Sequence, residues 1–319
     1  MNRRNRRQFM RDLTLLSLAG GFSHLSNAQT ASPPKRQMTI NLVCGNIGVS
    51  ADQVQAIDLA QRHGFESVEA NGEYLASLSD EQTHDLATSM KAKGIVFGAA
   101  GLPIDFRQDD ARFQQGLARL PRIAAGLQRA RVNRIGTWIN PAHNTLTYLQ
   151  NFKQHTQRLR QVAQILKDHA VRLGLEYVGP QTSRNNRKFP FLHTMAETKE
   201  LIAEIGTGNV GFVLDSWHWW TAGDTEADIL SLTKEQIVAV DLNDAPAGIP
   251  VGQQLDGRRE IPCATGVIDA AAFLNALNKL GYDGPVRAEP FNKVLNDLGN
   301  EEACATVAQA MKKAFALIK

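Results

Sequence analysis

The fold is decided by residues 210–242, which read VGFVLDSWHWWTAGDTEADILSLTKEQIVAVDL. Two short apolar runs rich in β-branched residues, at 210–215 and 237–242, enclose a more polar segment with an amphipathic stretch at 225–232. Short apolar runs of this kind are typical of buried strands, and longer amphipathic segments are typical of helices. The stretch therefore predicts a strand, a helix and a second strand.

The same alternation extends outward in both directions and gives eight strand–helix units. The predicted strands lie at 38–44, 65–70, 95–100, 134–139, 175–178, 210–215, 237–242 and 285–289. The predicted helices lie at 51–63, 79–93, 111–129, 146–173, 194–205, 225–232, 268–280 and 301–318. Glycines stand between a predicted helix and the next strand, where a left-handed residue usually ends a helix, at Gly64, Gly94, Gly174, Gly206 and Gly281.

Eight such units predict an α/β fold, a single (β/α)8 TIM barrel over residues 37–319. A doubly wound sheet is the alternative architecture. It is disfavoured because it rarely needs eight regular units and because no glycine-rich phosphate turn follows the first predicted strand.

The excess positive charge is confined to the N-terminus. The formal net charge of the 319 residues is +3, which by itself would favour an acidic partner such as a nucleic acid. Residues 1–28 hold five arginines and one aspartate, so they carry +4 and the remaining residues carry −1. The predicted barrel is therefore nearly neutral, which argues against nucleic acid as a partner.

The first segment resembles a twin-arginine export signal. It reads Asn5-Arg-Arg-Gln-Phe-Met-Arg11, followed by a moderately apolar stretch at 13–25 that is too short to span a membrane, and then by Ser26-Asn-Ala28. The resemblance implies a signal peptide at 1–28, a linker at 29–36, the twin-arginine (Tat) translocon as the partner during export, and a periplasmic location.

Four successive predicted strands carry a carboxylate at or near their C-terminal ends: Glu176, Asp215, Asp241 and Glu289. In a TIM barrel these ends meet at one mouth, where active sites lie. Each acid taken alone could cap a helix or pair with a base such as Arg258. Carboxylates that converge repel one another, so they need a cation or shared protons. A divalent metal ion is the simplest answer.

Five groups of motifs surround these carboxylates: Leu175-Glu-Tyr-Val-Gly-Pro180; Leu214-Asp-Ser-Trp-His-Trp219; Asp241-Leu-Asn-Asp-Ala-Pro246; Arg258-Arg-Glu-Ile-Pro262 with Gly266-Val-Ile-Asp269; and Gly281-Tyr-Asp-Gly-Pro-Val286 with Glu289-Pro-Phe291. Together they resemble the xylose isomerase-like superfamily of sugar phosphate isomerases and epimerases, which also includes the AP endonuclease family 2 type. The resemblance covers about residues 38–318. It implies a divalent metal, often Mn2+, held by Glu176, Asp215, the seventh-strand residue and Glu289.

The seventh strand departs from the pattern of that superfamily. Its ligand is usually a histidine in a His-x-x-Asp motif, whereas this chain has Asp241-Leu-Asn-Asp244. With Asp241 as a ligand the site contains only oxygen donors, which favours Mg2+, Mn2+ or Ca2+ over Zn2+, with Mn2+ or Mg2+ expected first. The alternatives are that one carboxylate stays protonated, or that the metal is weakly bound or absent.

The resemblance also implies the chemistry and the residues that contact a small carbohydrate substrate. In the epimerases of this superfamily the two glutamates, here Glu176 and Glu289, act as acid and base, so we expect a metal-dependent sugar isomerase or epimerase. His218 and Arg258 or Arg259, of which Arg258 is the first choice, match substrate-contacting positions. Trp217 and Trp138 are candidate aromatic surfaces for a sugar ring.

Two alternatives remain at this stage, and a third is disfavoured. Loss of a leaving group after the same proton removal would make the protein a dehydratase or lyase on a keto-sugar or keto-glycoside. A non-catalytic sugar-binding barrel would account for the aspartate at position 241. A DNA-repair activity would require a histidine-rich zinc site and a basic face, which this chain lacks. A homo-oligomer is compatible with the sequence.

Overall fold

The computed structural model describes residues 36–319 as a closed barrel of eight parallel strands. The strands follow one another around the barrel in chain order, and the last pairs with the first. They are β1 Thr39–Leu42, β2 Ser67–Ala70, β3 Val96–Gly101, β4 Arg134–Trp138, β5 Arg172–Glu176, β6 Val210–Asp215, β7 Ile237–Leu242 and β8 Pro285–Ala288. The predicted TIM barrel is confirmed. The predicted signal peptide and linker residues 29–35 lie outside the described residues.

Helices surround the barrel. Within residues 36–319 they are α1 Gln53–His63, α2 Gly72–Ser77, α3 Asp80–Lys93, α4 Asp110–Arg129, α5 Tyr148–Asp168, α6 Gln181–Arg184, α7 Met195–Ile205, α8 Ser216–Ala222, α9 Glu226–Leu230, α10 Ala270–Lys279, α11 Lys293–Asn296 and α12 Asn300–Phe315. None of the helices in this part of the chain is long and apolar enough to cross a lipid bilayer.

Local sequence explains where these helices begin and end. At the start of α1, the Asp52 carboxylate accepts from the Gln55 N–H at 2.9 Å, and the Gln55 side chain accepts from the Asp52 N–H at 3.0 Å. This reciprocal pair satisfies backbone donors that a helix start leaves free. Gly64, with φ of 76°, ends the helix in the left-handed conformation.

The boundary between α5 and β5 differs from the prediction. The predicted helix at 146–173 ends at Asp168, and the strand begins at Arg172 rather than at residue 175. Ala170, with φ of 57°, makes the left-handed turn that the sequence suggested for Gly174. Gly174 instead lies inside β5, where a Cβ atom would come within 2.8 Å of Val213 and 2.9 Å of Val238. Its small size serves the packing of the barrel interior.

Strand register brings the predicted carboxylates to one end of the barrel. Glu176 and Asp215 are the last residues of β5 and β6, and Glu289 follows β8 directly. Asp241 on β7 pairs with Asp215 on one side and with Arg287 on the other. All four therefore lie at or near the C-terminal ends of neighbouring strands, as the sequence predicted.

Candidate active site

The four carboxylates form one buried group, called here the carboxylate cluster: Glu176, Asp215, Asp241 and Glu289. Each offers one oxygen, and the four oxygens lie within 4.8 Å of one another. Asp241 is fully buried, Asp215 is 1% exposed and Glu176 is 6% exposed. Such close packing of acids requires compensation by cations or protons.

Hydrogen bonds fix Asp215 in this cluster. Its Oδ1 accepts from the backbone N–H of Trp217 at 2.7 Å, which caps the short helix α8, and from the Asn243 side chain at 2.9 Å. Asn243 is fully buried, and its own Oδ1 accepts from the Glu289 N–H at 3.0 Å. Asn243 thus ties β6 to the end of β8. It lies within the quoted seventh-strand motif, but sequence reasoning gave it no role.

Arg259 is the cation in direct contact with this side of the cluster. Its Nη1 donates to Asp215 Oδ2 at 2.7 Å and to Glu289 Oε2 at 3.1 Å, and its Nη2 donates to Asp256 Oδ1 at 2.8 Å. The side chain is 1% exposed. The sequence favoured the neighbouring Arg258, but Arg258 is exposed and lies outside the pocket described below. Adjacent residues of this loop point in different directions, and Arg259 is the one that points inward.

Asp244 holds the loop that follows β7. Its carboxylate accepts backbone N–H donors from Thr265 at 2.8 Å, Gly266 at 2.7 Å and Ile268 at 3.1 Å. The second acid of the Asp-x-x-Asp motif is therefore a structural residue: it ties the beginning of the loop that carries Arg259 to its end.

Asp241 forms its ion pair with a different arginine, Arg287. Arg287 Nε donates to Asp241 Oδ1, and Arg287 Nη2 donates to Asp241 Oδ2 at 3.0 Å. Both oxygens of this carboxylate are therefore bonded to one guanidinium group from the neighbouring strand.

Burial and mutual repulsion shift the acidities of the cluster. Burial, reinforced by Glu289 and Asp241, raises the pKa of Glu176 well above its ordinary value. Burial and Asp241 raise the pKa of Glu289 to about 8, although Arg259 acts in the opposite direction. Burial also raises the pKa of Asp215 to about 6. Without a bound cation, the cluster therefore holds protons at neutral pH.

His218 on α8 lies against the same group. Its Nε2 is 3.9 Å from Glu176 Oε1 and 3.8 Å from Asp215 Oδ2, and its Nδ1 accepts from the Gly179 N–H at 3.2 Å. Burial and the charge of Arg259 lower the pKa of His218 to about 3. The imidazole is therefore neutral at pH 7.

A pocket of about 390 Å³ opens above the cluster. Among the predicted site residues, those that line it are Glu176, Glu289, His218 and Trp138. Asp215 and Asp241 lie behind these groups, at the end of the barrel. Trp217 is fully buried and packs under Arg259, with the guanidinium carbon 5.5 Å from its ring centre. Trp217 thus supports Arg259 and does not form a surface for a sugar ring.

Aromatic side chains form the rim of the pocket. Trp138 is 44% exposed, and the Arg107 guanidinium stacks 4.2 Å from its ring centre. Phe291 is 40% exposed, lies 4.5 Å from the guanidinium carbon of Arg259, and has a φ of 40°. A phenylalanine in this backbone region is strained, and such strain is often found at functional sites. Sequence reasoning gave no role to Phe291, although it ends the quoted Glu-Pro-Phe motif.

The chain matches known proteins over most of its length. A profile of the xylose isomerase-like TIM barrel family matches residues 57–314. The chain belongs to this family. A solved xylose isomerase domain protein from Alicyclobacillus acidocaldarius superposes with a TM-score of 0.76 at 30% identity, covering 88% of this chain and 99% of that protein.

Two inosose isomerases are similar in sequence to this xylose isomerase-like protein. The one from Halalkalibacterium halodurans is 30% identical over 149 residues, which are 46% of this chain and 49% of that protein. The one from Bacillus velezensis is 23% identical over 262 residues, which are 80% of this chain and 89% of that protein. The chain thus spans about half the length of the first relative and most of the second.

The carboxylate cluster of this family member fits a divalent cation. Glu176 Oε1 is buried and accepts no hydrogen bond from residues 36–319, so its lone pairs are not used by the protein. The four groups supply only oxygen donors, which suits Mg2+ or Mn2+. Glu176, Asp215, Asp241 and Glu289 are the residues that would hold the ion.

Proposed function

We propose that the chain is a metal-dependent sugar isomerase or epimerase, which moves a proton at the carbon next to a carbonyl of a keto-sugar or related polyol. The observation that carries the proposal is the position of Glu176 and Glu289, two carboxyl groups from different strands that line one pocket beside the cluster. The names of the two matched inosose isomerases support a polyol bearing a ketone as the substrate class.

The chemistry follows from these two side chains. A divalent cation in the cluster would polarise a carbonyl oxygen and acidify the adjacent C–H bond. One glutamate removes that proton, and the other returns a proton. Return to the opposite face of the same carbon gives an epimer, and return to the neighbouring carbon gives an isomer. Burial supports this role, because a carboxyl group whose pKa is raised towards neutrality both accepts and donates protons near pH 7.

The remaining groups orient the substrate and the two glutamates. Arg259 holds the Glu289 carboxylate through Nη1 and also lines the pocket. His218 lines the pocket, and its Nε2 lies 3.2 Å from Arg259 Nη2, so the imidazole helps to fix the position of the guanidinium. Trp138 offers an exposed ring at the rim against which the C–H face of a sugar would pack.

The test is proton exchange with solvent. Purified protein loaded with MnCl2 is incubated in deuterium oxide with a panel of ketohexoses and inososes, and deuterium in the recovered sugar is measured by NMR. The active wild-type protein incorporates solvent deuterium next to the carbonyl.

Glu176→Gln and Glu289→Gln each reduce the rate of deuterium incorporation about 100-fold or more. The control is Glu200→Gln, which alters an exposed glutamate on α7. Near wild-type rates in both active-site variants would refute the mechanism.

The same experiment distinguishes the alternatives. A dehydratase or lyase gives a product that has lost water or an alcohol after deuterium exchange. A sugar-binding barrel gives a ligand-dependent rise in Tm without deuterium incorporation by any substrate of the panel.

We also propose that the protein is exported by the twin-arginine pathway to the periplasm. The support is the motif at residues 5–11 and the confinement of the excess positive charge to residues 1–28. The test fuses residues 1–36 to a reporter that is active only after export. Replacing Arg6 and Arg7 by lysine should abolish export, whereas the same change at Arg3 and Arg4 should not.

A further inference from the structure

Arg287 and Asp241 form a buried ion pair inside the barrel mouth. They are register partners on β8 and β7, so their side chains point to the same side of the sheet. Two nitrogens of Arg287 bond to the two oxygens of Asp241, and Asp241 is fully buried while the Arg287 side chain is 15% exposed. Bidentate pairs of this kind are strong and geometrically specific.

The same carboxylate belongs to the cluster. One oxygen of Asp241 lies within 4.8 Å of the oxygens offered by Glu176, Asp215 and Glu289. A carboxylate oxygen has two lone pairs, so it is able to accept a hydrogen bond and to bind a cation at the same time. Pairing with Arg287 therefore leaves Asp241 able to serve as a metal ligand.

We propose that Asp241 and Arg287 act as one electrically neutral metal-binding unit, in which Asp241 supplies a ligand oxygen and Arg287 is a positioning residue that orients the carboxylate and cancels its charge. The seventh strand then gives the site a fourth oxygen donor without a fourth net negative charge. The proposal rests on the metal dependence that is part of the proposed function.

Arg287 is the cation that compensates the charge of Asp241, because the other arginine of the site pairs with other acids. Arg259 already shares its guanidinium among Asp215, Glu289 and Asp256. Within residues 36–319, Arg287 is the side chain that forms an ion pair with Asp241. After Asp241, the acids that act on Arg287 through their charge are Glu289 of the cluster and Glu69 on β2.

Calorimetric titration of the EDTA-treated full-length protein with MnCl2 tests the unit. Asp241→Asn removes a ligand oxygen's charge and leaves Arg287 uncompensated, so Mn2+ affinity falls about 100-fold or more. Arg287→Gln makes the site more negative, so Mn2+ binds about ten-fold more tightly while the metal-free protein melts at a lower temperature. The variant Asp241→His with Arg287→Gln replaces the unit by a neutral ligand, and its Mn2+ affinity stays within about ten-fold of wild type.

Arg134→Gln is the matched control. Arg134 is also a buried strand arginine, and its Nη2 donates to Asp283 at 2.6 Å, but it lies at the start of β4, at the opposite end of the barrel. Its loss should lower the Tm of the protein and leave Mn2+ affinity unchanged. Circular dichroism confirms that each variant has folded.

Each result has a defined meaning. If wild type binds no Mn2+, the metal dependence itself fails. If wild type binds Mn2+ and Arg287→Gln changes the affinity no more than Arg134→Gln does, Arg287 has only a structural role and the proposal is overturned. If Arg287→Gln does not fold, the double variant Asp241→Asn with Arg287→Gln is compared with Asp241→Asn. An Mn2+ affinity about ten-fold higher in the double variant supports the proposal, because the uncompensated charge of Arg287 has been removed, and equal affinities overturn it.

Discussion

Arg259 Nη1 donates to Asp215 Oδ2 at 2.7 Å, and both side chains are almost completely buried. The same guanidinium reaches Glu289 and Asp256 and rests on the ring of Trp217. One arginine from the loop after β7 therefore connects a carboxylate of β6 with one that follows β8. Arg259 therefore compensates the negative charges on the pocket side of the cluster.

Replacing Arg259 by lysine should lower kcat/KM about 100-fold or more, because an ammonium group cannot bridge carboxylates with the planar geometry of a guanidinium. The steady-state rate on the best substrate of the deuterium panel measures this. Arg258→Lys changes the exposed neighbouring arginine and should stay within about two-fold of wild type. Equal losses in the two variants would show that the inward position of Arg259 has no functional consequence.

The metal-free protein should become less stable as pH rises from about 4.5 to about 8. Asp215 and Glu289 have pKa values raised to about 6 and about 8, so the folded state binds protons that the unfolded state has already released in this window. The stability gained by proton binding is therefore present at the lower pH and lost by about pH 8. Tm of EDTA-treated protein measured from pH 5 to 9 should fall, and Glu289→Gln should flatten the decrease.

Saturating MnCl2 should remove much of the same pH dependence, because the cation takes over the role of the bound protons and competes with them. A Tm that rises with pH across this window in the metal-free protein would contradict the assignment of the raised pKa values to the cluster.

Truncating the rim aromatics should affect substrate binding more than turnover. Trp138→Ala and Phe291→Ala remove exposed rings at the pocket mouth, so KM should rise about ten-fold with kcat changed much less. Trp217→Ala should behave differently: this ring is fully buried, and its loss should destabilise the fold by about 3–5 kcal/mol. Michaelis constants and chemical denaturation separate the two effects. A rise in KM for Trp217→Ala without loss of stability would contradict the burial of this ring.

Adding a methyl group at Gly174 should destabilise the barrel by about 1–3 kcal/mol. Its Cβ atom would lie 2.8 Å from Val213 on β6 and 2.9 Å from Val238 on β7. Gly45→Ala is the control, because nothing lies within 4 Å of its added Cβ atom and its φ is not positive. Urea denaturation measures both variants, and equal free energies of unfolding would rule out the packing role of Gly174.

The eight-unit order of the barrel follows from the amino-acid pattern alone. The strands at 210–215 and 237–242 have the predicted bounds, because short runs rich in β-branched residues and flanked by polar segments indicate where a strand begins and ends. The same pattern also determined which strand ends carry Glu176, Asp215, Asp241 and Glu289, since the parallel topology follows from the strand–helix alternation. The end of α5 was misplaced, because Ala170 adopts a left-handed turn that sequence alone usually assigns to glycine.

The contacts between side chains, in contrast, follow from the three-dimensional packing of the chain. Arg258 and Arg259 lie in a loop whose sequence has no periodicity, so the sequence does not indicate which of them points inward. Trp217 is buried because it lies on a helix that faces the core, whereas Trp138 is exposed because it lies at the end of a strand. The pairing of Asp241 with Arg287 is a cross-strand contact between residues 46 positions apart. Such contacts depend on strand register and burial, which local sequence patterns do not encode, and here they set the charge of the site.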